Sequence, residues 1–159
     1  MKIKLIPESP YKRSNINMHF DIPEDTPQPK EYFQIVNNQL IYLQLKPELN
    51  IGVGFNSRRI ILSVGDGPER EEAADLIIKR YYGFENAFPV FMNVTNFILS
   101  KEKNKEIRKE STFYYLGKFF YTGEEVIDPR FKSQMKWISD KNKYPAKIVK
   151  LIKLEWASY

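Results

Sequence analysis

Thr112-Phe113-Tyr114-Tyr115-Leu116-Gly117-Lys118-Phe119-Phe120-Tyr121 places six aromatic residues among ten positions, with a single glycine near the middle. Aromatic and β-branched side chains suit a pleated, half-buried surface, so the stretch reads as a strand. Gly117 within it predicts a bulge or a barrel corner. Thr122-Gly123-Glu124-Glu125 supplies turn chemistry and closes the run.

Towards the C-terminus, Tyr144-Pro145 introduces Ala146 to Trp156. Lys147, Lys150 and Lys153 recur at a helix-like spacing, but Pro145 and the pairs Ile148-Val149 and Leu151-Ile152 favour extended backbone; we assign a strand. Towards the N-terminus, Phe88 to Phe91 reads as a short strand or loop. Asn93 to Glu110 reads as a helix whose charged second half is solvated. Gly65-Asp66-Gly67-Pro68-Glu69 opens the clearest helix of the chain, with Asp66 as cap and Pro68 in the first turn. Ala74, Ile77, Ile78 and Tyr81 keep helical spacing, and Gly83 stops it. This helix is expected to plug one end or flank of a sheet.

Earlier still, Glu31–Val36 and Gln39–Leu45 flank Asn37-Asn38, residues that tolerate the positive φ of a tight hairpin. Ile41, Leu43 and Leu45 are expected on one face. Ile51–Phe55 and Arg59–Val64 read as two further strands, giving a meander of four. Residues 2–6 alternate as a short edge strand. A Pro-rich arm at about 7–30 reads as a long loop pinned by Phe20 and Ile22, with prolines at 7, 10, 23, 27 and 29 removing backbone donors. The fold class that follows is α+β and β-rich: a curled antiparallel sheet or small barrel with one or two flanking helices. With 159 residues, one domain spanning 1–159 suffices and can bury roughly two-thirds of the surface that its unfolded chain exposes.

Charge is distributed unevenly. Residues 101–159 hold fourteen Lys or Arg against eight Asp or Glu, whereas residues 1–99 carry a net −1. Between Arg130 and Lys153 eight cations face one acid, Asp140. Arg130, Lys132, Lys136, Lys141, Lys143 and Lys147 are therefore the candidate phosphate contacts. Trp137, Tyr114, Tyr115 and Trp156 are the candidate base-stacking residues, such stacking being worth about 1–3 kcal/mol per base. The competing reading makes the lysines a solvated face and the tryptophans core.

Several chemistries are excluded or unsupported. The chain has no cysteine, which rules out disulfides, thiolate nucleophiles and cysteine-ligated metals. His19 is the only histidine; Asp21 or Glu24 could orient it as a base, although a lone histidine beside Phe20 is commonly structural. No Asp-x-Lys or Glu-x-Lys occurs, which counts against restriction-type nuclease chemistry. The Gly65-Asp66-Gly67 turn lacks the Walker lysine and is acidic, so it reads as capping rather than as a phosphate cradle. No catalytic, metal or cofactor site is expected. No apolar run approaches the roughly 18–20 residues of a membrane span, and a cytoplasmic, membrane-free protein is expected.

Tyr115-Leu116-Gly117-Lys118-Phe119-Phe120, then Asp128-Pro129-Arg130-Phe131, then Tyr144-Pro145-Ala146-Lys147-Ile148-Val149 resembles the C-terminal half of PUA-like barrels, in particular EVE domains and the related YTH readers. The resemblance covers residues 113–154. It implies a nucleic-acid reader that holds a modified or flipped base among aromatics, including service as a specificity module of restriction or defence systems. DNA or RNA is the expected partner. The alternative is an interaction protein of a virus or mobile element that docks on another protein through the Pro-rich arm and exposed aromatics.

Overall fold

The computed structural model describes residues 4–26, 32–65, 68–99, 107–125 and 148–159; of these, the side chains at 97–99, 107–109, 125 and 148–150 are left undescribed. Its strands are β1 (Pro10–Tyr11), β2 (Phe33–Val36), β3 (Gln39–Leu45), β4 (Arg59–Gly65), β5 (Phe88–Leu99), β6 (Ile107–Glu125) and β7 (Ile148–Ser158). Two helices, α1 (Arg13–His19) and α2 (Pro68–Arg80), accompany them. The strands form one sheet in the order β2-β3-β5-β6-β7-β4, with β1 added on β6. The sheet curls into a half-barrel.

β6 is the spine. Its first half pairs with β5 from Ile107 to Phe119, and its second half pairs with β7 from Lys118 onwards. Gly117 adopts φ 111 at a register shift where Leu116 is the extra residue, as the central glycine predicts. The bulge bends the strand, so one strand serves two neighbours.

The β2–β3 hairpin turns at Asn37 and Asn38, with φ 52 and 61. Its register shifts as well: Gln34 faces Tyr42 and Ile35 faces Leu40, leaving Ile41 as the extra residue. Ile41 consequently shares a face with Tyr42, while Leu43 and Leu45 enter the main core. The expected common face of Ile41, Leu43 and Leu45 is broken by this bulge.

Four further expectations are corrected. The meander of four does not form: β3 pairs β5 in parallel, and Ile51 makes only a single bridge to Ile61. Gly52 has φ 83, and a Cβ there would lie 2.3 Å from the Arg59 carbonyl oxygen, so 51–58 is a tight loop. The helix expected from Asn93 is replaced by β5 and β6, whose ladder runs from Phe88↔Phe119 to Leu99↔Ile107. Val94, Thr95, Phe97 and Ile98 favour strand, and the cross-strand ladder outweighs the charge spacing that suggested helix. Residues 100–106 lie outside the described residues. Lys4 to Ile6 form no strand; the edge strand is Pro10–Tyr11, paired to Tyr114 and Phe113. Finally, the proline-rich arm contains α1. Asn15 Oδ1 accepts from the Lys12 N–H at 3.1 Å and fixes its first turn. The anchoring of this arm by Phe20 and Ile22 is as expected.

Two cores follow from the strand alternation. The larger lies between one face of the sheet and α2, and includes Leu43, Leu45, Ile60, Leu62, Ile77, Phe88, Val90 and Phe119. The smaller lies on the other face beneath α1, around Ile16, Tyr42, Phe91, Phe113 and Tyr115. α2 spans the range read from its periodicity, and Gly83 beyond it takes φ 90. Its expected cap, Asp66, falls outside the described residues. The tail is a strand from Ile148, in agreement with the extended reading.

Candidate nucleic-acid interface

The pleat of β6 sorts two adjacent tyrosines. Tyr115 packs into the smaller core at 3% exposure, its ring 5.3 Å from that of Phe91. Burial pushes its phenol up to about 12. It cannot stack on a base, and its candidacy is withdrawn. Tyr114 points to the opposite face, half-buried against the main core. Sequence composition treats the two tyrosines alike, and only the pleat distinguishes them.

Trp156 is also half-buried, on the same face as Tyr114. Its ring lies against Gly117, where a Cβ would come within 2.6 Å of the indole Nε1. That nitrogen is buried and has no hydrogen-bond partner among the described residues. The Arg58 guanidinium sits 4.1 Å from the Trp156 ring centre, and the Arg58 carbonyl accepts from the Trp156 N–H at 2.9 Å. Tyr159 meets the indole edge-on at 5.2 Å. Three residues before Arg58, Phe55 meets Tyr114 edge-on at 5.2 Å.

One short loop thus touches both aromatic candidates. The Ser57 N–H donates to the Gly54 carbonyl at 3.3 Å and the Ser57 hydroxyl donates to the Gly52 carbonyl. These bonds close the loop and hold Phe55 and Arg58 outward, Phe55 at 49% exposure. The arrangement offers ring faces, ring edges and a guanidinium at one rim of the sheet face that carries the larger core. Chemically it suits a flat, electron-rich ligand with an acceptor group. Neither Phe55 nor Arg58 was singled out from the sequence. Their only signal there was the turn chemistry of Gly52, Gly54, Asn56 and Ser57, of which the glycines were read within a strand and Asn56-Ser57 as its join to the next.

The basic candidates Arg130, Lys132, Lys136, Lys141, Lys143 and Lys147, together with Trp137, lie outside the described residues. One cation of the tail, Lys153, is placed. It donates to Glu124 at 2.6 Å and lies 4.0 Å from Glu155, which also meets Arg59 at 3.6 Å. The hydrogen bond from Lys153, followed by its charge, lowers the Glu124 carboxyl below its ordinary value. Lys153 is therefore only partly exposed, with its charge balanced by acids.

On the other face, Arg13 joins α1 to the sheet. It donates to Gln44 Oε1 at 2.7 Å and to the Tyr42 hydroxyl at 3.4 Å, and lies 4.8 Å over the Phe113 ring. Tyr42 in turn donates to Asn17 Oδ1 at 3.3 Å. The cluster is structural in form, since Tyr42 is fully buried. His19 lies edge-on to Phe20 at 4.7 Å, as a packing histidine does. Among the described residues no cluster of His, Asp and Glu could hold a metal, and no helix is long and apolar enough to cross a membrane.

No family model, curated protein or solved structure matches this chain.

Proposed function

We propose that this chain is a nucleic-acid-binding protein that holds a base at the rim formed by Tyr114, Phe55, Arg58 and Trp156, without cutting the strand. The observation that carries the reading is the Arg58 guanidinium stacked on Trp156, in the loop that also sets Phe55 on Tyr114. An arginine already desolvated on one face by an indole keeps its edge donors for phosphate or base acceptors. The excess of cations between Arg130 and Lys153 supplies the long-range attraction that such a site needs. In its finer form the proposal is a PUA-like reader of a modified or extruded base, a specificity module in restriction or defence. The half-barrel sheet and the Tyr-Pro entry to the last strand support that form.

Fluorescence titration with labelled single-stranded and duplex DNA and RNA, bare and base-modified, tests the proposal. Binding with a Kd below about 10⁻⁴ M at low salt, weakening as salt rises, is the expected result. Weaker binding, or binding with no salt slope, overturns it.

A second reading rests on a different observation. Tyr82 and Phe84 are 58% and 60% exposed, and they meet Tyr121 and Phe120 edge-on at 6.2 and 5.9 Å. Exposed aromatics in contact with one another suit docking on another protein. A stable protein partner in the absence of nucleic-acid affinity favours this alternative.

A further inference from the structure

β5 and β6 stay paired beyond the reach of their other neighbours. β3 last meets β5 at Met92, and β1 last meets β6 at Phe113. From Val94↔Thr112 to Leu99↔Ile107 the two strands pair with each other and, among the described residues, with no other strand. At roughly 3.4 Å per residue these pairs make a two-stranded ribbon about 20 Å long. Its described side chains are mainly polar: Asn96, Glu110 and Ser111 are exposed, Thr95 and Thr112 half-buried. Val94 and Tyr114 both pack on the larger core, so strand alternation puts Asn96, Glu110 and Thr112 on that same face, running outward from the contact of Tyr114 with Phe55. Asn96 is held in one orientation, because its Nδ2 donates across the ribbon to the Thr112 hydroxyl oxygen at 2.8 Å. Its Oδ1 and its second amide hydrogen have no partner among the described residues.

We infer that this ribbon enters the major groove of duplex DNA and that Asn96 reads adenine there, an inference that rests on the nucleic-acid reading above and names its substrate. The major groove, about 12 Å wide, admits a two-stranded ribbon, whereas the major groove of an RNA duplex is too deep and narrow for side chains to read. The acceptor and donor that Asn96 keeps match the N6 amino group and N7 of adenine, a bidentate pair. Thr112 is the positioning residue that presents them. Glu110 stands opposite Asn96 on the same face. Its charge repels phosphates and so turns this face to base edges, where a carboxylate accepts from the N4 amino group of cytosine. Attraction to the backbone comes from the net +5 charge of the chain.

Fluorescence anisotropy of the full chain with three labelled probes tests this: an A·T duplex, the same duplex with 7-deazaadenine in place of adenine, and single-stranded DNA. The 7-deaza base keeps its Watson–Crick pairing and loses only the N7 acceptor in the major groove. The wild-type chain is expected to bind the natural duplex about fivefold or more tightly than the 7-deaza duplex. Asn96→Ala, and separately Thr112→Val, should bind the two duplexes equally while keeping wild-type affinity for the single strand, with circular dichroism establishing that each variant is folded. Equal binding of both duplexes by the wild type, or discrimination that survives in Asn96→Ala, overturns the inference; the rim reading then still stands if Arg58→Ala weakens single-strand binding. Failure to bind all three probes overturns both readings. Sedimentation equilibrium without DNA should show a monomer, and a dimer that the A·T duplex does not dissociate would give the ribbon to a second copy and overturn the inference.

Discussion

Arg58 and Trp156 hold each other twice: the guanidinium lies 4.1 Å from the centre of the indole ring, and the Arg58 carbonyl accepts from the Trp156 backbone N–H at 2.9 Å. The backbone bond sets the loop beside β7, and the ring contact fixes where the side chain can reach. The proposed base-binding rim thereby rests on a pair that local sequence does not bring together.

The first prediction separates these two parts. Arg58→Ala keeps the backbone bond and removes the cation, so affinity for nucleic acid should fall about tenfold while stability changes by less than about 1 kcal/mol. Titration by fluorescence anisotropy, paired with urea unfolding of the same variant, measures both. An unchanged affinity would remove Arg58 from the site.

Tyr114 and Tyr115 give a sharper comparison, because they are neighbours on opposite faces. Tyr114→Ala should weaken nucleic-acid binding by about 1 kcal/mol or more, the lower end of a lost stacking contact. Tyr115→Phe should leave affinity unchanged.

Tyr115 also predicts an alkaline limb in stability. Its folded phenol is pushed up to about 12 from 10.0 by burial. The neutral form is the one the folded state prefers, so the contribution is complete below pH 10. Above that value the unfolded chain loses its proton first, and stability falls up to about pH 12. The expected loss is about 3 kcal/mol over this window, since one unit corresponds to about 1.4 kcal/mol. Urea unfolding across pH 9 to about 12 should show a flatter decline for Tyr115→Phe than for the wild type.

Gly117→Ala should be among the costliest single changes in the chain. The residue has φ 111, and the added methyl would lie 2.6 Å from Trp156 Nε1 and 2.9 Å from the Ser158 carbonyl oxygen. Strain of this backbone region and the overlap with β7 together predict a loss of about 3 kcal/mol. Chemical unfolding gives the value directly, and a neutral result would mean that β7 can move away from the bulge.

Arg13→Lys should fail to replace arginine. The guanidinium serves Gln44, Tyr42 and the Phe113 ring at once, whereas an ammonium cannot spread over all three. Leaving buried acceptors without a donor costs about 1–3 kcal/mol. Thermal unfolding, together with hydrogen exchange in α1, would detect both the loss and its location.

The sequence by itself determined the elements whose instructions are local. Asn37-Asn38 accept positive φ, so the hairpin was legible. The 3.6-residue spacing from Ala74 to Tyr81 specified α2. The aromatic run around Gly117 specified a bulged strand, and the aliphatic pairs after Pro145 specified the last one. Helix α1 was hidden because only seven residues carry it and prolines surround them. The Asn93–Glu110 stretch was misread because its charges mimic a helix face, whereas its structure comes from pairing with residues up to twenty positions away. Only the tertiary structure decided that β3 and β5 run parallel, and that Tyr114 and Tyr115 part company. It alone brought Phe55 and Arg58 to the rim. Each of these is a relation between segments distant in sequence, set by which faces bury together, and no local preference encodes it.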